Sequence, residues 1–371
     1  MSAFLPQTRG LVRSLPPYHP GTGARGALKL SSNENPIGAS PAALEAAARR
    51  MREPALYPDA GATALREAIA QRHGLASENV VVGNGSDEVM MLAALAFGGR
   101  GTRTITSQTT FSQYRFVTDV TGAALATVPL AEDGAVAPRA MLSAVDYRST
   151  LVFVCTPNNP TGAIVGPGAL EELIRGVPET TTVVVDHAYA EYVESDQLDG
   201  SEDLILRYPN LIVLRTFSKV FGLAAFRVGY GIAQQQTIEA LSRVRFPFNV
   251  NAPAQAAATA ALGDDAFVRQ SLDANRRFRA DLLALLSGYG AQCFPAHGNF
   301  VTAGVPGGAT AFAAATREAG VTIRALDSFD LPNHVRITVP GTPGQWTRLE
   351  QALAHAFSSA QRSPEPAPAG A

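Results

Sequence analysis

LIVLRTFSKVFGLAAFRVGY, residues 211–230, opens on four apolar residues and then turns polar. A continuous apolar run of this kind, Leu211 to Leu214, reads as a strand buried on both faces. Thr216, Ser218, Lys219 and Arg227 follow it within one short stretch. A parallel strand here would deliver Lys219 to the carboxyl edge of a sheet, where open α/β folds bind their ligands.

Working outward, similar short runs recur at Val80 to Val82, Thr102 to Thr106, Leu151 to Val154 and Thr182 to Val185, each separated from the next by Ala/Leu-rich helical sequence. Apolar strands alternating with helices predict an α/β fold with a mostly parallel central sheet and helices on both faces. From about residue 252 the pattern changes to longer helices, Ala254 to Leu262 and Phe267 to Leu286, with strands near Phe300, Ile323 and Val335. The expected organisation is an extended, Pro/Gly-rich arm over 1–30, a large domain over 31–251, a smaller α+β C-terminal domain over 252–360, and a disordered Pro/Ala tail over 361–371.

Composition narrows the function classes. The chain has 371 residues, 46% hydrophobic and 17% charged, enough for a sizeable core. Its 30 basic and 32 acidic residues leave a formal charge of -2, which argues against a nucleic acid or an anionic membrane as partner. Cys155 and Cys293 lie in no CxxC spacing, and the histidines form no HxxxH pair, so no disulfide framework or metal site is expected. With no long apolar stretch, the expectation is a soluble, cytoplasmic protein acting on small molecules.

The lysine count is the sharpest compositional signal. Among the 30 basic residues only Lys29 and Lys219 are lysine. An ε-amine can lose its proton and attack a carbonyl, whereas a guanidinium stays charged. Either arginine bias left two lysines by accident, or Lys219 stands where arginine cannot serve. Thr216, Ser218 and Arg227 around it could grip a phosphate. Lys29, in LKLSSNENP, reads as solvated.

Three further strand ends point to the same edge. In VVVGNGSDEVMMLAALAF (80–97) a strand, a turn with Gly83 and Gly85, and a helix starting at Ser86 and Asp87 form either an anion site or an ordinary N-cap. In VVVDHAYAEY (183–192) a buried strand ends in Asp186, whose carboxylate either meets a protonated aromatic ring nitrogen or caps the next turn. Tyr189, three residues on, could bond a phenolic oxygen of such a ligand. In VFVCTPNNPTG (152–162) Asn159 could present its amide to that oxygen. Phe111 in TTFSQY either stacks on a flat ring or fills the core. Arg336 in VRITV could clamp a carboxylate through two parallel hydrogen bonds, and Arg324 in VTIRAL either reaches a second substrate group or is solvated.

In this order, LPPYHPG, LKLSSNENPIG, YPD, GNGSDE, PNNPTG, VVDHAY, RTFSK, FRVGY, PFNVNAPAQAA, GNF and VRITV together resemble the aspartate aminotransferase superfamily of pyridoxal 5'-phosphate enzymes, in its histidinol-phosphate aminotransferase branch. The resemblance implies that fold and that cofactor. It implies Lys219 as the Schiff-base lysine, Asp186 on the pyridine nitrogen, and Asn159 and Tyr189 on the phenolic oxygen. Gly85, Ser86, Asp87, Thr216, Ser218 and Arg227 would surround the phosphate, with Phe111 over the ring. It further implies a homodimer with shared sites, Tyr57 reaching the neighbour's phosphate, Arg336 on the substrate carboxylate, and Tyr18 and Arg324 in the substrate pocket.

The implied reaction is ping-pong transamination of histidinol phosphate with 2-oxoglutarate, a step of histidine biosynthesis. Phenylalanine or another aromatic amino acid is the alternative substrate, followed by decarboxylation of a phosphorylated amino acid. The chain departs from the branch at His187, where Glu is usual, at the extra Pro340, and at Phe111, where Tyr is common.

Overall fold

The computed structural model describes residues 26–166, 168–194, 198 and 204–362. Its strands are β1 Leu28–Lys29, β2 Val80–Gly83, β3 Arg103–Ser107, β4 Ala124–Val128, β5 Ser149–Cys155, β6 Thr182–Asp186, β7 Leu211–Thr216, β8 Gly229–Ala233, β9 Phe300–Gly304, β10 Val321–Thr322, β11 Arg324–Ala325 and β12 His334–Thr338. Seven of them form one sheet in the order β2-β8-β7-β6-β5-β3-β4. The ladders from β7 through β6, β5 and β3 to β4 are parallel, while β8 runs antiparallel to both β7 and β2.

Successive side chains of a strand point to opposite faces, and both faces here are apolar. Val183, Val185, Leu211 and Val213 join one core with Val152 and Val154. Phe153, Val184, Ile212 and Leu214 face the other way, under Val89 and Met90 of the Ser86–Phe97 helix and Tyr114 and Val117 of the Gln113–Thr121 helix. The fold is therefore α/β with a mostly parallel sheet covered on both sides.

Two strands, β4 and β8, were not evident as apolar runs. β8 reads GYGIA, and its glycines weaken any strand signal. Both are needed by the packing: a Cβ on Gly229 would lie 2.5 Å from the Ser86 backbone nitrogen, and one on Gly231 would lie 2.8 Å from Val89 Cγ1. The Ser86–Phe97 helix thus rests directly on β8.

The C-terminal part contains the antiparallel sheet β11-β12-β9 and a separate core that includes Phe278, Leu282, Val301, Val335, Ile337 and Leu353. Two expectations change. The Ala252–Leu262 helix, assigned to the smaller domain, packs Ala254, Ala257, Ala258 and Ala261 into the core of the large one. The end of the expected arm is a packed element: β1 pairs in parallel with β10, and Leu30 is buried in the C-terminal core. Residues 1–25 of the arm, and the tail beyond the Pro343–Arg362 helix, lie outside the described residues.

Candidate active site

The register of the large sheet assembles the site. Cys155 pairs with Asp186, and Asp186 with Leu214, so β5, β6 and β7 end side by side. Gly229 pairs with Gly83 on one flank and Thr216 on the other. Because β8 is antiparallel, its first residue sits where its neighbours end. The loop after β2, the residues just before β8 and the loop after β7 therefore meet at one edge, bringing together Gly85 and Ser86, Arg227, and Thr216, Ser218 and Lys219.

Gly85, at φ 83, is the N-cap of the Ser86–Phe97 helix, and neither Ser86 nor Asp87 caps it as the sequence reading allowed. Arg227, itself left-handed at φ 55, reaches back over Gly85 and donates from Nη2 to Asp87 Oδ2 at 3.0 Å. The first N–H groups of a helix have no intrahelical acceptor. A guanidinium and a helix start thus face the same small space, with the buried hydroxyls of Thr216 and Ser218 beside it. Thr216 Oγ1 accepts the Ser218 N–H at 3.1 Å, which turns the chain tightly before Lys219.

Lys219 is half-buried, and its Nζ lies 5.3 Å from the centroid of the Tyr189 ring. Asp186 and Tyr189 are both buried. Burial pushes the Asp186 carboxyl above the ordinary carboxylate range, a shift opposed by hydrogen bonds from the Tyr114 hydroxyl and the Ala188 N–H. Phe111 is half-buried and meets the Tyr114 ring edge-on, with centroids 5.8 Å apart.

The small C-terminal sheet closes the other side. Arg336 of β12 is buried, its guanidinium 5.5 Å above the Phe300 ring, and it donates from Nη1 to Asn159 Oδ1 and from Nη2 to the Ser31 carbonyl at 3.0 Å. Since Asn159 Oδ1 accepts from Arg336, its amide nitrogen is the end turned toward other partners. Arg324 of β11 stands directly opposite Arg336 in the antiparallel register, so the two side chains leave the sheet on the same face.

Tyr57 is 78% exposed and stacks on Phe248, with centroids 4.6 Å apart. Lys29 is exposed and paired with Glu34 at 2.7 Å. Tyr18 lies outside the described residues.

Two polar residues at the site were missed in the sequence. Asn33, left-handed at φ 55, donates from Nδ2 to the Tyr189 hydroxyl at 3.0 Å. Tyr114 donates to Asp186 Oδ2 at 2.7 Å. Neither carries a local sequence signal, because each finds its partner across the fold.

Comparison with known proteins agrees with this architecture. The family described as aminotransferase class I and II matches residues 25–353. A histidinol-phosphate aminotransferase of Halalkalibacterium halodurans is 42% identical, covering 88% of this chain and 91% of that protein. Histidinol-phosphate aminotransferase 2 of Pseudomonas fluorescens is 39% identical, covering 96% and 99%. Among solved structures, the Sinorhizobium meliloti histidinol-phosphate aminotransferase in complex with pyridoxal-5'-phosphate superimposes with a TM-score of 0.87 at 26% identity, covering 96% of this chain and 99% of that one. The chain belongs to the class I and II aminotransferase family, in its histidinol-phosphate aminotransferase branch.

Proposed function

We propose that this chain is a pyridoxal 5'-phosphate-dependent aminotransferase exchanging an amino group between histidinol phosphate and 2-oxoglutarate. The observation that carries the reading is the convergence of one amine, one buried acid and one phenol at a single sheet edge, with Lys219 Nζ 5.3 Å from the Tyr189 ring and Asp186 at the tip of the neighbouring strand. The names of the relatives support the substrate pair.

The residues suit a flat aromatic ring carrying a phosphate. A Cβ at Gly85 would sit 2.8 Å from Arg227 Nη2, so glycine keeps open the space between helix start and guanidinium. Asp186 is a carboxylate whose charge is penalised by burial, and a protonated ring nitrogen is the partner that relieves such a penalty. When bound, the cofactor supplies an electron sink for the pair left as the substrate's α C–H bond breaks.

The protein's residues divide the remaining work. The Gly85–Ser86–Asp87 helix start, Thr216, Ser218 and Arg227 hold the phosphate. The Asp87 carboxylate, which would repel an anion, is occupied by Arg227, leaving its backbone N–H at the helix start. Asn159 and Tyr189 would bond the ring's phenolic oxygen, Phe111 would cover its face, and Asp186 would keep the ring nitrogen protonated. Lys219 would anchor the cofactor, and its freed ε-amine is the group placed to take the proton from the substrate's α-carbon. Arg336 clamps the substrate carboxylate. Two arginines opposed across one ladder repel one another unless an anion lies between or beside them, which favours a substrate with carboxylate or phosphate groups at Arg324 and Arg336. Tyr57 serves the site of a second copy in a cytoplasmic homodimer.

The direct test assays purified protein with imidazole-acetol phosphate and with phenylpyruvate as amino acceptors. The phosphorylated acceptor is expected to give the higher kcat/KM. Preference for phenylpyruvate would move the assignment to an aromatic aminotransferase, the reading that Phe111 in place of tyrosine favours. Lys219→Ala is expected to abolish transamination and the visible absorbance of the lysine-bound cofactor, and full activity in that variant would end the proposal.

A further inference from the structure

The carboxyl edge of the large sheet holds one contact that the proposed chemistry does not use. Tyr114 is fully buried and stacks on Phe153 of β5, with centroids 4.9 Å apart and 11° between the planes. Its hydroxyl donates to Asp186 Oδ2 at 2.7 Å, while Oδ1 of the same carboxylate accepts the Ala188 N–H at 3.1 Å. Each oxygen is thus tied to a different element: Oδ1 to the loop that follows β6, Oδ2 to the Gln113–Thr121 helix on the sheet's face. Rotation about the Cβ–Cγ bond would break both contacts at once.

Behind the phenol stands Cys155, which pairs with Asp186 across the β5–β6 ladder and donates its thiol proton to the Pro157 carbonyl at 3.5 Å. Burial pushes the Cys155 thiol up to about 12 and the Tyr114 phenol well above its ordinary value, so both keep their protons. Of the three groups, Asp186 is by far the most acidic in ordinary solution, and a protonated ring nitrogen beside it would favour its ionised form. A hydrogen bond to an ionised acceptor is roughly twice as strong as one between neutral groups, and burial keeps water from competing for it.

We propose that Tyr114 is a positioning residue whose hydroxyl holds the Asp186 carboxylate in the orientation that meets the ring nitrogen of the cofactor. This rests on the reading of Asp186 as that nitrogen's partner. Without the hydroxyl, Oδ2 would be buried with no donor in its place, and the carboxylate would turn away or take up a proton. Either change weakens its grip on a protonated ring nitrogen while leaving the phosphate cradle and the ring-covering residues intact.

The test titrates apo-protein with pyridoxamine 5'-phosphate and with its 1-deaza analogue, in which a CH replaces the ring nitrogen. Neither ligand needs a covalent bond to Lys219, and their affinity ratio isolates the nitrogen. Wild type, Tyr114→Phe and Asp186→Ala are compared. Phenylalanine keeps the stack on Phe153, and any general loosening of the fold weakens both ligands alike. Wild type is expected to favour the nitrogen-bearing ligand, Asp186→Ala to lose that preference, and Tyr114→Phe to lower it about tenfold with the deaza analogue bound as in wild type. If Tyr114→Phe keeps the wild-type ratio while Asp186→Ala abolishes it, the positioning role is overturned and the Asp186 reading stands. If wild type shows no preference, or Asp186→Ala keeps it in full, the Asp186 reading fails and the role of Tyr114 with it.

Discussion

Asp186 is only 3% exposed, and its oxygens accept from a phenol and a backbone amide, neither of them a cation. Its carboxyl is therefore held above the ordinary value of about 3.9 by desolvation. The apo-protein keeps a proton that the unfolded chain releases, so this contribution to stability is present below the unfolded pKa and is lost as pH rises through the folded one. Asn at this position does not titrate. The melting temperature of apo Asp186→Asn relative to wild type should accordingly climb as pH rises from about 4, and a difference that stays flat or falls would contradict the burial argument. Lys219 and Asp186 were legible because each is chemically conspicuous at the end of an apolar run. Tyr114 and Asn33 were not, since their partners Asp186 and Tyr189 lie 72 and 156 residues away along the chain.

The Ser86–Phe97 helix shows how one element is aimed by another. Its start is pressed onto β8, where an added Cβ at Gly229 would meet the Ser86 nitrogen at 2.5 Å and the Gly85 carbonyl carbon at 2.8 Å. Both neighbours are backbone, so the helix start itself must move. Gly229→Ala should destabilise the protein by about 1–3 kcal/mol by overpacking and loosen the hold on the cofactor's phosphate. Thermal melting and the affinity for pyridoxamine 5'-phosphate would report this, and a variant unchanged in both would show that the contact is not tight. The strand GYGIA is formed by its neighbours rather than by its own propensity, which hid it in the sequence. The Ala252–Leu262 helix eluded assignment for a related reason: its alanines suit many faces, and contact with the Pro41–Arg50 and Thr63–His73 helices decides its side.

Across the molecule, Leu56, Tyr57, Phe246 and Phe248 are exposed at 62%, 78%, 79% and 41%. The two segments that carry them adjoin, for Tyr57 stacks on Phe248 and Arg245 Nη1 donates to the Ala60 carbonyl at 3.0 Å. Such an apolar patch favours cover by a second copy, as the proposed shared site requires. Sedimentation should give about twice the chain mass, and Phe246→Asp should shift the protein toward monomer and weaken cofactor retention; a wild-type monomer with full activity would refute the shared site. The run of apolar strands, the lone reactive amine and the acid at a strand tip could all be read along the chain, because alternation and side-chain chemistry are local properties. Strand order, the approach of Arg227 to Asp87, the pairing of Arg324 opposite Arg336 and the capture of Leu30 by the C-terminal core could not. These depend on which distant segments come together when both sheet faces are buried at once, and burial is a property of the packed chain rather than of any stretch of it.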